Sequence, residues 1–199
     1  MQVIGLCGGS GSGKGEVARV FIECGIPVID ADETYHKLTS TKSDCLEELC
    51  LSFGYGILGD NGTLDRVKLR HAIYTNDNFA ESLSLLNKIT HKHIIREMLA
   101  LCSEYANRGE RAVVLDAPLL FEAGLDAECS HIISVVADES LRIERIIKRD
   151  GVAKDEAMKR IAAQKSNDWL ISHSDTVIQN NGGLDELTEI TKRIIKNII

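Results

Sequence analysis

Long apolar runs are missing from this sequence. No stretch approaches the roughly 18 consecutive apolar residues that a bilayer-spanning helix needs. The opening MQVIGLCGG has no basic leader, and its apolar run is too short for a secretory signal. Paired cysteines are missing too. The six cysteines stand at 7, 24, 45, 50, 102 and 129 with no C-x-x-C spacing, which supplies neither a zinc frame nor a disulfide framework. They read as small buried hydrophobes in a reducing cytosol. Positive charge is short as well: 23 Lys and Arg stand against 30 Asp and Glu, a net charge of −7. General nucleic-acid and membrane-surface binders need a basic face, so both classes are excluded. Internal repeats and low-complexity linkers are likewise missing. The expectation is a cytoplasmic protein, a monomer or weak oligomer.

What is present suits one domain carrying a small insertion. Of 199 residues, 44% are apolar and 27% charged, enough to bury a core. The charge is uneven: Arg142 to Lys165 holds eight Lys/Arg and four Asp/Glu, so this segment is +4 and the remainder −11. A basic patch on an acidic chain suits a small anionic ligand.

Gln2–Cys7 is a short apolar, strand-like run ending in glycines. From Gly13 onward, Val17, Val20, Phe21 and Cys24 recur at helical spacing and stop at Gly25. Pro27–Ile29 then reads as a second strand. Strand, glycine loop, helix and strand make a βαβ unit, whose crossover implies a parallel sheet. The stretch from 33 to 109 reads as mostly helix, with a long stripe through Leu86, Ile89, His93, Ile94, Met98, Leu101 and Tyr105. Glycines 54, 56, 59 and 62 mark a loop within it. Strands return at Ala112–Leu115, His131–Ala137 and Thr176–Gln179, and Leu184–Ile199 closes the chain as a helix. The expected fold is α/β: a five-stranded parallel sheet flanked by helices, with a helical insertion between its second and third strands.

Chemistry concentrates at GGSGSGKG, residues 8–15. Gly8, Gly13 and Lys14 match the phosphate-loop pattern G-x-x-x-x-G-K-[ST], with a strand before it and a helix after it. Glycines allow the backbone angles that turn successive N–H groups inward, and the helix start adds positive potential. Gly9, Ser10, Gly11, Ser12, Gly13, Lys14, Gly15 and Glu16 are therefore the candidate nucleotide-binding residues, with Lys14 as a point charge for the β- and γ-phosphates. Gly15 departs from the pattern, because a Ser or Thr hydroxyl normally ligates Mg²⁺ there, and Glu16 follows it.

Asp30 and Asp32 end the second strand, where ligands of open α/β sheets bind. Their i, i+2 spacing sends both to one side of a strand. A carboxylate there can take a proton from an attacking hydroxyl, or can cap the next helix. Asp116, after Ala112–Leu115, is placed either to hold Mg²⁺ or to end a strand before Pro118. LRIERIIKRDG fits an amphipathic helix with Leu141, Ile143, Ile146 and Ile147 inward and Arg142, Arg145, Lys148 and Arg149 outward. Such arginines serve as a solvated face or as a mobile lid over transferring phosphate. His91 and His93, at i, i+2 on a helix, point apart and do not form a joint metal site.

Together these motifs resemble the dephospho-coenzyme A kinase family over nearly the whole chain. Its opening loop is matched at 8–15, IDAD at 29–32, G-x-L-x-R by GTLDR at 62–66, and D-x-PLL-x-E by DAPLLFE at 116–122. R-x-x-x-R-D is matched at 145–150 with a downstream Gln164, and D-x-V-I-x-N by DTVIQN within 175–182. The resemblance implies a P-loop NTPase fold and ATP-dependent phosphorylation of dephospho-coenzyme A with Mg²⁺. It implies that Asp32 is the catalytic base beside Lys14, that Arg66 and His91 belong to the acceptor region, and that Arg145 and Arg149 belong to a lid. The parts would be a core of 1–32, 110–141 and 166–199, an acceptor-binding insertion of 33–109, and a lid of 142–165. Departures stand at His91-Lys92, where the family has His-Pro, and at Gly15-Glu16, where it has Ser-Thr. Adenylate kinase-type enzymes carry glycine at position 15 but also D-G-[FY]-P-R, which this chain lacks. A nucleoside-monophosphate kinase and a non-catalytic nucleotide sensor remain the alternatives.

Overall fold

The computed structural model describes residues 1–75 and 78–199. Five strands, β1 (Gln2–Gly8), β2 (Val28–Asp30), β3 (Ala112–Asp116), β4 (His131–Val136) and β5 (Thr176–Gln179), form one parallel sheet in the order β2-β3-β1-β4-β5. β1 lies between β3 and β4, in register from Gln2 opposite Ala112 to Leu6 opposite Asp116. On its other side it runs from Ile4 opposite His131 to Gly8 opposite Val135. The carboxyl ends of β1 and β3 therefore lie side by side, and this brings the loop after Gly8 next to Asp116.

Both faces of a parallel sheet are covered, so its strands are continuous apolar runs rather than alternating ones. Ala112, Val113, Val114 and Leu115 are all buried. One face packs on α1 (Lys14–Glu23) and α9 (Leu184–Ile198). Val17, Val20 and Phe21 of α1 and Leu187 and Ile195 of α9 join Ile4, Leu6, Val114, Ile133, Val135 and Ile178 in a single cluster. Phe21 is fully buried, and its burial stabilises the fold by about 1.5–3 kcal/mol. After β4, α6 (Glu139–Asp150) and α7 (Lys154–Ala162) form a helical pair joined through Ile143, Ile146 and Ala157. The short α8 (Asn167–Ser172) precedes β5.

The chain divides into two compact units, Met1–Ile29 with Cys102–Ile199 and Asp30–Leu101. The second unit contains α2 (Ala31–Ser40), α3 (Asp44–Phe53), α4 (Arg66–Tyr74) and most of α5 (Phe79–Asn107). Asp30, Ser43 and Asp65 cap the first three through Glu33, Leu46, and Val67 with Lys68. Leu38, Cys45, Leu46, Leu49, Ile57, Leu69, Ile73 and Ile89 make its core. The α5 stripe follows the sequence pattern at Ile89, His93 and Met98, all buried. His93 is the exceptional member. Its Nε2 lies 2.6 Å from Glu48 Oε2 and its Nδ1 3.2 Å from Arg96 Nη2, so a buried ring is satisfied at both nitrogens between α3 and α5.

All six cysteines are free thiols. Burial pushes the Cys45 thiol up to about 11 and Cys129 up to about 12, which keeps both protonated and inert. No helix among the described residues is long and apolar enough to cross a membrane.

Lys92 and His93 hold the Glu48 carboxyl below its ordinary range. A depressed carboxyl stabilises the folded state above its unfolded pKa, and that contribution disappears as pH falls through the folded value. Thermal melts should therefore find Glu48→Gln less stable than wild type at pH 7, with the gap closing below about pH 4. A gap unchanged at pH 3 would remove Glu48 from the account of this unit.

Candidate active site

The loop from Gly8 to Gly15 is shaped from outside. Gly11 and Gly13 adopt φ of 77° and 98°, a left-handed conformation that side chains resist. Three successive carbonyls then face donors from elsewhere in the same unit. Arg142 Nε donates to Ser10 O at 2.9 Å, Arg145 Nη1 to Gly11 O at 3.3 Å, and Asn180 Nδ2 to Ser12 O at 2.8 Å. Space is closed as well as angle. A Cβ on Gly9 would stand 2.2 Å from Arg142 Nη2, and one on Gly13 would stand 2.2 Å from Asn180 Nδ2.

With the carbonyls held, amides are left over. Ser10 N–H is taken by Gln164 Oε1 at 2.9 Å and Ser12 N–H by Gly9 O at 3.0 Å. Among the described residues, the amides of Gly11, Gly13, Lys14 and Gly15 have no protein acceptor. The N-cap of α1 is Gly13, which has no side chain to fill the role that Asp30, Ser43 and Asp65 fill on their helices. An uncapped helix start behind a glycine loop is an anion site, because unpaired N–H groups and the helix dipole both favour negative charge.

Lys14 and Asp116 form an ion pair with little exposure on either side. Strand register makes the pair, since Asp116 ends β3 beside β1 and Lys14 begins the helix that follows β1. The pair keeps a cation at the loop without leaving a buried charge unbalanced. Gly15 is open: a Cβ there would meet nothing within 4 Å. Glu16 turns to the exposed face of α1, where Arg19 Nε donates to it at 3.0 Å. Arg145 is half-buried and also donates to Asn180 O at 3.1 Å. Arg149 is exposed and bidentate with Asp150 at 2.7 and 3.0 Å.

Two sequence expectations require correction. Arg142 and Arg145 do not point outward; Arg142 is buried at 3% exposure against the loop, and Arg145 is half-buried and turned to the Gly11 carbonyl. Periodicity holds the signal, because Arg142 stands one turn before the buried Ile146 and shares its stripe, although arginine as a residue type points to solvent. Asp30 and Asp32 are not two side chains leaving one strand. Helix α2 begins at Ala31, so Asp32 lies in its first turn, while Asp30 is its cap, accepting from Glu33 N–H at 2.8 Å. Asn180, from the matched D-x-V-I-x-N segment, had no role in the sequence reading and proves to hold the loop.

In the second unit, Asp32 is exposed on α2, and Tyr35 lies one turn further on the same helix. The Arg66 guanidinium lies 5.7 Å from the Tyr35 ring centroid, so Asp32 and Arg66 share a neighbour. His91 is half-buried on α5.

A glycine loop between the first strand of a parallel five-stranded sheet and an uncapped helix, with its lysine on a buried strand-end aspartate, defines a P-loop kinase fold. Solved structures share it across the whole chain. A Thermus thermophilus protein superposes with a TM-score of 0.80 at 28% identity, covering 100% of this chain and 98% of its own. A dephospho-CoA kinase from Campylobacter jejuni has the same fold, with a TM-score of 0.74 at 21% identity, covering 100% and 98%. The chain belongs to the dephospho-CoA kinase family: the family model of that description matches residues 2–186. A dephospho-CoA kinase of Bacillus licheniformis is 39% identical over 92% of this chain and 90% of the relative.

Gly13→Ala should lower ATP affinity at least tenfold, because it combines about 1–2 kcal/mol of left-handed strain with a clash on Asn180. Calorimetric titration with ATP checks this, and wild-type affinity would mean that the loop tolerates a different backbone path.

Proposed function

We propose that this chain transfers the γ-phosphoryl group of ATP to the ribose 3′-hydroxyl of dephospho-coenzyme A, giving coenzyme A and ADP. The observation that carries the reading is the loop itself: four unpaired amides and a lysine gathered at one anion site in a chain of this family. Loop residues 9–16 take the ATP phosphates. Lys14 exchanges Asp116 for a phosphate oxygen as the nucleotide enters. Glu16 contributes its backbone and, as an acid in the first turn of α1, a favourable interaction with the helix dipole.

Asp32 acts as general base, accepting the proton of the attacking hydroxyl. Segment 33–109 binds the acceptor, with Arg66 and His91 among its contacts. Segment 142–165 closes as a lid that excludes water, and its Arg145 and Arg149 neutralise the transferring group. Arg145 spends Nη1 on the loop, while its Nε and Nη2 have no protein partner among the described residues. Arg149 would exchange Asp150 for phosphate on closure. The enzyme works in the cytoplasm as a monomer or weak oligomer, with neither nucleic acid nor membrane as partner.

The donor set fits a Mg²⁺ that arrives with the nucleotide. No group of three metal-ligating side chains exists among the described residues, but Asp116 is a buried carboxylate at the loop. Asp116 would hold the ion directly or through water, phosphate oxygens and waters would complete its shell, and the ion would supply charge neutralisation at the β- and γ-phosphates. Gly15 removes one neutral hydroxyl from that shell, a place that water can fill.

With Mg-ATP, dephospho-coenzyme A should stimulate ADP release while AMP and UMP should not, and fragmentation mass spectrometry should locate the new phosphate on the 3′ oxygen. Equal turnover with AMP would replace this reading by a nucleoside-monophosphate kinase. Asp32→Asn should cost about 10²–10⁴ in turnover with ATP affinity nearly intact. Asp30→Asn should be mild, since asparagine caps a helix as well as aspartate does. The reverse order would assign the base to Asp30.

Gly15→Ser has room for its side chain and should lower the Mg²⁺ concentration for half-maximal rate, with little change at saturation. Turnover that exists only in the serine variant would make the natural loop a sensor rather than a catalyst.

A further inference from the structure

Arg142 is a buried cation whose hydrogen-bonding partners are all neutral. Nε donates to Ser10 O at 2.9 Å, Nη1 to Asn167 Oδ1 at 3.3 Å, and Nη2 to Gln164 Oε1 at 3.1 Å. Asn167 is fixed in turn by donating to Ala137 O at 2.9 Å, just beyond β4. Gln164 Oε1 accepts a second bond, from Ser10 N–H at 2.9 Å. The two sides of Ser10 are therefore both held, its carbonyl by Arg142 and its amide by Gln164, and these two side chains bond to each other. Burial lowers the affinity of the Arg142 guanidinium for its proton, with the nearby Glu139 opposing the effect. The planar fork of arginine, with five N–H donors in fixed directions, holds these three acceptors at once.

We propose that Arg142 and Gln164 are positioning residues that set the phosphate loop for nucleotide binding through Ser10, without touching the nucleotide. The physical reason is peptide planarity. Fixing the Ser10 carbonyl outward and its amide against Gln164 fixes the peptides on either side of Ser10, and so the direction in which the Gly11 N–H begins its turn. Gly9 completes the device, because any side chain there would displace the guanidinium that lies 2.2 Å from its would-be Cβ. Arg142 comes from α6 and Gln164 follows α7, so the clamp also ties both ends of segment 142–165 to the loop. The inference rests on the loop being the ATP site.

The test is direct titration of ATP and ADP into the purified protein, which requires no turnover and therefore stands apart from the identity of the acceptor. Gln164→Leu removes the acceptor shared by Ser10 and Arg142 and should weaken ATP binding about tenfold, as expected for a loop amide and a guanidinium left without their partner. Gln164→Glu keeps an acceptor at the same place and should recover affinity to within about threefold of wild type. Arg142→Lys, which keeps charge but not the fork, should bind as weakly as Gln164→Leu. In steady-state assays, KM for ATP should rise in both weakened variants while KM for the acceptor stays put. Joining Gln164→Leu with Arg142→Lys should cost less than the sum of the two, as for residues in one network. Wild-type ATP affinity in Gln164→Leu, or equal weakness in Gln164→Leu and Gln164→Glu, would overturn the proposal. Should Arg142→Lys fail to fold, the Gln164 pair decides alone, because that side chain is only half-buried.

Discussion

A peptide group cannot present its N–H and its C=O to the same side, and the phosphate loop depends on that constraint. For amides to converge on an anion, the intervening carbonyls must face away, into protein, where each needs a donor. Here the donors are Arg142, Arg145 and Asn180, reaching Ser10, Gly11 and Ser12 from α6 and from the end of β5. Remove those donors and the glycines that make the loop possible would also make it floppy, since glycine restricts its own backbone least. The loop is a shape imposed by its surroundings on a permissive sequence.

The remaining features of the site follow from the same neighbourhood. Parallel pairing of β1 with β3 delivers Asp116 to the loop, where Lys14 balances it. Parallel pairing of β4 with β5 delivers Asn180. A helix start without a cap leaves unpaired the amides that a capped helix such as α4, held by Asp65, would have consumed. Stability elsewhere is obtained by ordinary means: aliphatic burial around Phe21 in one unit, and around Leu49 and Ile89 in the other.

Much of this was legible before any coordinates. Apolar runs bounded by glycine and aspartate located all five strands to within a residue or two, most clearly the three central ones, whose long buried runs leave a continuous signal. The α5 stripe was visible from its period of 3.6. Asp32 was misplaced in its geometry because a strand and a helix meeting at Ala31 leave no sign in the spacing of two aspartates. Arg142 was misplaced because residue type was weighed above its position one turn from Ile146. A buried arginine is uncommon, and nothing local announces that loop carbonyls await it.

What the sequence determined by itself was local: where backbone angles are free, where a helix starts uncapped, where a charged residue ends a strand, and which family's motifs stand in order. Those properties reside in a residue and its near neighbours, so a one-dimensional pattern carries them. The tertiary structure alone decided which partners, 132 to 168 positions away in the chain, would close on the carbonyls of Ser10, Gly11 and Ser12 and on the Ser10 amide. That choice depends on strand order and helix packing, which bring Arg142, Gln164 and Asn180 to 2.8–2.9 Å from a loop whose sequence does not mention them.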